Sequence, residues 1–124
     1  MVIDPGDDGD FIIRRIGDLG LKPKTILATH GHFDHVLAAT ELKLAFNIPF
    51  LMHKKDLFLL KRLRKTAEYF LGYDACPEAG EKPFGFIDSQ PEGLGDRFIK
   101  EGDVIKFSKE KLKVVETSGH TPGG

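Results

Sequence analysis

The chain has 124 residues, with 18 basic and 19 acidic side chains, a formal net charge of −1 and a single cysteine. This length predicts one domain over residues 1–124, and the balanced charge excludes a general attraction to nucleic acid or to an anionic membrane. One cysteine excludes an internal disulfide and a cysteine-based zinc cluster, and no apolar run reaches membrane-spanning length. The acidic N-terminus lacks the basic region of a signal peptide, so we expect a cytoplasmic protein.

The first half of the chain alternates short apolar runs with helical patterns. The predicted elements are a strand at 1–4, a helix through Ile12, Ile16 and Leu19, a strand at 25–29, a helix at 35–46 and a strand at 48–53. Apolar residues at helical spacing between β-prone runs are the pattern of an α/β fold. We therefore predict an α/β domain.

The second half is predicted to be a further helix, a long loop and three strands. The helix covers 54–71, the loop 73–97, and the strands 97–99, 104–107 and 112–117. A loop of that length is usually functional or mobile. The last two strands are separated by Ser-Lys-Glu-Lys and predict a hairpin.

The most informative stretch follows the predicted strand at 25–29. Residues 29–35 read Thr-His-Gly-His-Phe-Asp-His. Imidazole and carboxylate groups are ligands of zinc and iron. His30 and His32 lie two residues apart, so an extended backbone can point both rings to one side. The side chains of Asp34 and His35 are expected to point in different directions, so they suit a neighbouring metal position rather than the same ion.

A further histidine, His120, lies in Gly-His-Thr-Pro-Gly-Gly after the last predicted strand. Open α/β sheets gather ligands where strand ends and their loops converge. We therefore expect His120 to join the histidines of residues 29–35 in a metal site. Scattered surface histidines are the alternative, and the clustering of ligand types favours the metal site.

Together these motifs resemble those of the metallo-β-lactamase superfamily, above all its hydroxyacylglutathione hydrolase (glyoxalase II)-like members. The Val-Ile-Asp-Pro-Gly at residues 2–6 resembles the early strand of that family. The resemblance implies an α/β fold, the N-terminal portion of an αβ/βα sandwich. Family members continue past the Gly-His-Thr-Pro-Gly turn to a metal-bridging Asp and a last His ligand. We therefore expect a single, partial domain that is truncated before those two ligands.

The resemblance also implies residue roles. The implied metal ligands are His30, His32 and His120 for the first ion, and Asp34 and His35 for the second. Asp34 is in addition the candidate catalytic residue, and Asp4 would support the metal loop. The implied cofactor is zinc, as one or two ions, with iron or manganese as alternatives.

The implied activity is hydrolysis of a thioester or related acyl substrate by metal-bound hydroxide, as in hydroxyacylglutathione hydrolases. The alternatives are a catalytically incomplete metal-binding fragment, or a persulfide dioxygenase or lactonase of the same superfamily. The expected partner is a small thioester or ester, with neither nucleic acid nor membrane. A homo-oligomer, paired through exposed sheet surface, is a further expectation.

Four weaker signals are interpreted as structural. His53 follows a strand and is predicted to be a satisfied structural histidine, and Cys76 an inert thiol. The basic residues at 61–65 predict a solvated helix face rather than an anion site. Asp103, in Glu-Gly-Asp, predicts turn chemistry.

Overall fold

The computed structural model describes residues 1–71 and 96–124. Its elements are β1 (Val2–Ile3), α1 (Gly9–Asp18), β2 (Ile26–Leu27), α2 (Phe33–Val36), α3 (Ala39–Phe46), β3 (Phe50–His53), a 3₁₀ turn (Lys54–Asp56), α4 (Leu57–Lys61), α5 (Leu63–Leu71), β4 (Arg97–Ile99), β5 (Val104–Phe107) and β6 (Glu110–Lys113). In the part of the chain that is described, no helix is long and apolar enough to cross a membrane.

Strands β1 to β4 form one parallel sheet in the order β1-β2-β3-β4. Parallel strands end at the same edge, and the residues that follow them meet there. Asp4 follows β1, Thr29 and His30 follow β2, and Asp56 follows β3. The predicted α/β class is confirmed.

The helices cover one face of this sheet. Ile26 and Ala28 in and after β2, and Phe50 and Met52 in β3, alternate along their strands and are buried against Leu42 of α3. This alternation follows from the two-residue repeat of a strand. The apolar core between the sheet and the helices therefore fixes the positions of the strand ends.

The antiparallel hairpin β5–β6 lies beside the opposite face of the sheet. A cavity of about 330 Å³ separates the two, and its lining includes Ile3, Leu27, Ile99, Ile105 and Leu112. This face of the sheet is therefore less tightly packed than the helical face.

The predicted helix at 35–46 is wrong in its bounds, because two helices, α2 and α3, replace it. The backbone N–H of Ala38 donates to the carbonyl of Gly6 at 2.7 Å, and that of Gly6 donates to the carbonyl of His35 at 3.4 Å. The turn after β1 thus takes hydrogen bonds that a continuous helix would have used. Asp34 and His35 consequently lie inside α2.

The predicted helix at 54–71 is also divided, into a 3₁₀ turn, α4 and α5. Arg62 leaves helical geometry at φ −107° and ψ 3°. Leu60 and Leu63 are buried as expected, whereas Leu19, assigned to the apolar face of the first helix, is 54% exposed beyond the end of α1.

The last strand begins and ends earlier than the predicted 112–117. Ser108, at φ 54°, makes a tight turn that lets β6 begin at Glu110. Past Lys113 the backbone no longer pairs with β5. The N–H of Thr117 instead donates to the carbonyl of Gly124 at 2.8 Å. The predicted loop at 73–97 lies outside the described residues except for its last two, Asp96 and Arg97, and Arg97 begins β4.

Candidate metal centre

Asp4 joins the ends of β1 and β2. Its Oδ1 accepts a hydrogen bond from the backbone N–H of Thr29 at 2.8 Å, and its Oδ2 accepts one from the Thr29 hydroxyl at 2.7 Å. Asp4 itself has a left-handed backbone, φ 48°, which Asp tolerates better than most residues. The carboxylate therefore holds the start of the histidine loop, the supporting position that the family resemblance implied for it.

Thr29 in turn orients His30. The Thr29 hydroxyl proton is donated to Asp4, so its oxygen accepts from Nδ1 of His30, 3.1 Å away. A neutral imidazole with a proton on Nδ1 carries its free lone pair on Nε2. The hydrogen-bond network thus leaves Nε2 of His30 as the nitrogen that could bind a metal ion, as outer hydrogen bonds commonly do for metal-binding histidines.

Three of the five predicted metal ligands lie together. One ring nitrogen from each of His30, His32 and His120 falls within 4.8 Å of the others. Nδ1 of His32 is 3.0 Å from Nε2 of His120. Nitrogens about 2.0–2.1 Å from one tetrahedral zinc ion are roughly 3.4 Å apart, so this donor set fits a single divalent ion.

The other two predicted ligands, Asp34 and His35, lie beside this cluster rather than in it. The His35 ring centre is 4.0 Å from that of His30. Nε2 of His35 is 3.7 Å from Oδ2 of Asp34, whose side chain is 61% exposed. Nδ1 of His35 is 3.1 Å from Oδ2 of Asp4 but is not aligned for a hydrogen bond. This pair suits a second position next to the first.

The rings also affect one another electrostatically. The pKa of His30 lies below its ordinary value of 6.5. Burial is the main cause, followed by repulsion from the rings of His35, His32 and His120, while Asp4 acts in the opposite direction. A lowered pKa keeps the imidazole neutral near pH 7, the form that binds metal ions.

Asp56 is a residue of the site that the sequence did not reveal. Its side chain is fully buried, its Oδ2 accepts from the N–H of Gly31 at 3.0 Å and from the Thr121 hydroxyl at 2.8 Å, and its Oδ1 accepts from the N–H of Gly123 at 2.8 Å. It thus connects the His30–His32 loop to the His120 loop. Its position after the third parallel strand, matching Asp4 and His30, was the available signal.

The weaker signals have structural roles where they are described. His53 accepts from the N–H of Lys55 at 3.1 Å and donates to Glu116 at 3.1 Å, so it is a satisfied histidine as predicted. Asp103 accepts from the N–H of Lys100 at 3.0 Å in a turn, also as predicted. Lys61, Arg62 and Lys65 are exposed. Cys76 lies outside the described residues.

The fold and the site define an α/β protein with three convergent histidines at the carboxyl edge of a parallel sheet. The sequence matches the family model of the metallo-beta-lactamase superfamily over residues 1–124. The chain belongs to the metallo-β-lactamase superfamily, as its motifs predicted.

Three relatives illustrate the match. The chain is 36% identical over 124 residues to the hydroxyacylglutathione hydrolase GloC of Haemophilus influenzae, covering 98% of this chain and 51% of that protein. It superposes on BJP-1, a subclass B3 metallo-beta-lactamase of Bradyrhizobium japonicum, with TM-score 0.67 and 29% identity, over 98% of this chain and 42% of that one. It superposes on TTHA1623 in a di-iron-bound form with TM-score 0.53 and 38% identity, over 55% of this chain and 34% of that one. The chain spans about half the length of the curated relatives it matches.

Proposed function

We propose that this protein is a metal-dependent hydrolase that binds zinc through His30, His32 and His120. One observation carries the proposal: a ring nitrogen from each of the three histidines lies within 4.8 Å of the others. Asp34 and His35 are proposed as the ligands of an adjacent second ion, because their side-chain atoms approach to 3.7 Å beside the cluster. A bound divalent ion supplies activation of water and polarisation of a carbonyl.

The remaining roles belong to the protein. Asp4 and Thr29 fix the ring of His30 and leave its Nε2 free. Asp34 is the candidate catalytic carboxylate, because it is the exposed acid beside the histidine cluster and an ionised carboxylate can take up a proton. The His120 ring is exposed in this chain.

The proposed substrate is a small thioester. The support is the 36% identity to a hydroxyacylglutathione hydrolase. The test is hydrolysis of lactoylglutathione by the zinc-loaded 124-residue chain, followed at the thioester absorbance. We expect turnover that is lost with Asp34→Asn and with His32→Asn. Equal rates for the wild type and both variants would refute hydrolysis at this site.

Metal binding is tested separately by equilibrium dialysis against zinc, with metal content measured per chain. His32→Asn should lose the first ion. His53→Asn is the matched control, since it alters a histidine outside the cluster and keeps an acceptor close to the N–H of Lys55. Equal zinc content in wild type and His32→Asn would refute the proposed ligands.

A second candidate is a metal-binding protein without hydrolytic activity. Its support is that, among the described residues, the cluster of three side chains placed to bind a metal ion is His30, His32 and His120, and Asp34 and His35 lie outside it. In this case the chain holds one zinc ion, leaves lactoylglutathione intact and pairs with a second copy, which native mass spectrometry would detect. The di-iron form of TTHA1623 motivates one more assay, oxygen uptake on glutathione persulfide by the iron-loaded chain, which would favour a persulfide dioxygenase.

A further inference from the structure

We infer that Asp56 is a positioning residue that sets the distance between the two halves of the histidine cluster. The inference rests on the proposed metal site and assigns a role to a residue that is not itself a ligand. Asp56 lies in the 3₁₀ turn directly after β3, and its side chain is fully buried. It therefore sits on a rigid part of the fold, which both histidine loops can use as a common reference point.

The hydrogen bonds of Asp56 reach both loops at once. The N–H of Gly31, between His30 and His32, and the hydroxyl of Thr121, next to His120, both donate to Oδ2, at 3.0 and 2.8 Å. A single oxygen atom thus joins segments that are distant in sequence. A shift of this oxygen therefore disturbs both loops at once.

The C-terminal loop has few other attachments. Among the described residues, the hydrogen bonds that tie 117–124 to the rest of the chain go to Asp56, apart from the contact between His32 and His120. The others, between Thr117, Thr121 and Gly124, stay inside the loop. The position of His120 therefore depends on Asp56.

The packing around Asp56 is also tight on both sides. An added Cβ at Gly31 would lie 3.0 Å from the Asp56 carbonyl oxygen, and one at Gly123 would lie 2.8 Å from Oδ1. The distance at Gly123 is shorter than real Cβ atoms show, and the distance at Gly31 is tighter than most real Cβ contacts, so both loops pack their backbones directly against Asp56. Three donors face the two carboxylate oxygens, and an Asn side chain of the same shape has one acceptor oxygen in place of two.

The test compares Asp56→Asn with Asp96→Asn. Asn cannot accept at both positions, so one of the donors loses its acceptor. Asp96 is the matched control, because its carboxylate also accepts a backbone N–H, from Phe50 at 2.9 Å, but at the start of β3, at the opposite edge of the sheet. Zinc affinity is measured by chelator competition, and the visible bands of bound cobalt(II) report the coordination geometry.

We expect zinc to bind Asp56→Asn about 10-fold or more weakly, in the range seen for outer-shell partners of metal sites, with altered cobalt bands. Asp96→Asn should keep wild-type affinity and bands even where it lowers thermal stability. If Asp56→Asn matches the wild type in affinity and spectrum, the inference is wrong. If the wild-type chain binds neither metal, the proposed function fails first, and the inference fails with it.

Thr121 provides a second pair of variants in case Asp56→Asn does not fold. Thr121→Val removes the hydroxyl that donates to Asp56 while keeping the side-chain shape, and Thr121→Ser restores it. We expect weaker zinc binding for Thr121→Val and recovery for Thr121→Ser. Equal affinity in all three proteins would overturn the inference.

Discussion

Asp4 and Thr29 are joined by two hydrogen bonds, at 2.8 Å to the backbone N–H and 2.7 Å to the hydroxyl of Thr29. This contact fastens the end of β1 to the end of β2 at the first residue of the histidine loop. It means that the shape of the candidate metal site depends on a strand far from it in sequence.

The first prediction concerns Asp4→Asn. Asn tolerates the left-handed backbone, but its amide nitrogen would face a donor of Thr29. We expect a loss of about 1–3 kcal/mol in the free energy of unfolding, measured with urea. Asp7→Asn, an exposed neighbour, is the control. The same stability for both variants would contradict the role of Asp4.

The second prediction compares two glycine substitutions. Gly31→Ala places a Cβ 3.0 Å from the Asp56 carbonyl and 3.1 Å from the Cβ of Leu59, so we expect a loss of about 1–3 kcal/mol. Gly17→Ala, at an exposed position of α1, has no atom within 4 Å of the new Cβ and should gain about 0.5–1 kcal/mol. Thermal or urea unfolding measures both, and a Gly31→Ala variant as stable as the wild type would show that the loop at Gly31 is not tightly packed against Asp56.

The third prediction concerns pH and follows from the lowered pKa of His30. Between that lowered value and 6.5 the unfolded chain binds more protons than the folded one, so stability rises with pH through this window. The free energy of unfolding of the metal-free chain should therefore fall as the pH drops below 6.5. His30→Asn should flatten this dependence in urea titrations at pH 5.5–7.5, relative to the wild type. An unchanged slope would show that other groups cause it.

The fourth prediction concerns metal addition. A ligand that binds only the folded chain adds stability, about 2.7 kcal/mol at a free concentration of 100 times Kd. We expect zinc to raise the unfolding temperature of the wild type, and the chelator EDTA to reverse the increase. His32→Asn should show no increase, because it removes one of the three convergent nitrogens. An equal shift in the variant would place zinc elsewhere on the chain.

The histidines of the candidate site were predictable because their residue types and spacing are typical of metal ligands. His30 and His32 lie close in sequence, and His120 lies within the Gly-His-Thr-Pro-Gly-Gly motif. The succession of strands and helices in the first half of the chain was also predictable, since short apolar runs alternate with helical patterns there. These features could be predicted because each depends on residues that are neighbours in sequence.

Asp56 could not be predicted in the same way. In sequence it follows two lysines and resembles a surface residue, and its partners are 25, 65 and 67 residues away. The break between α2 and α3 was hidden for the same reason, because it comes from hydrogen bonds to Gly6. Both features depend on contacts that exist only after the strand ends have met.

The shared acceptor at Asp56 has a consequence for motion. The amide protons of Gly31 and Gly123 are held by the two oxygens of one buried carboxylate. Hydrogen exchange at either amide requires its bond to open, and a movement of Asp56 opens both. The two amides should therefore exchange with solvent at correlated rates, so that two loops far apart in sequence behave as one cooperative unit.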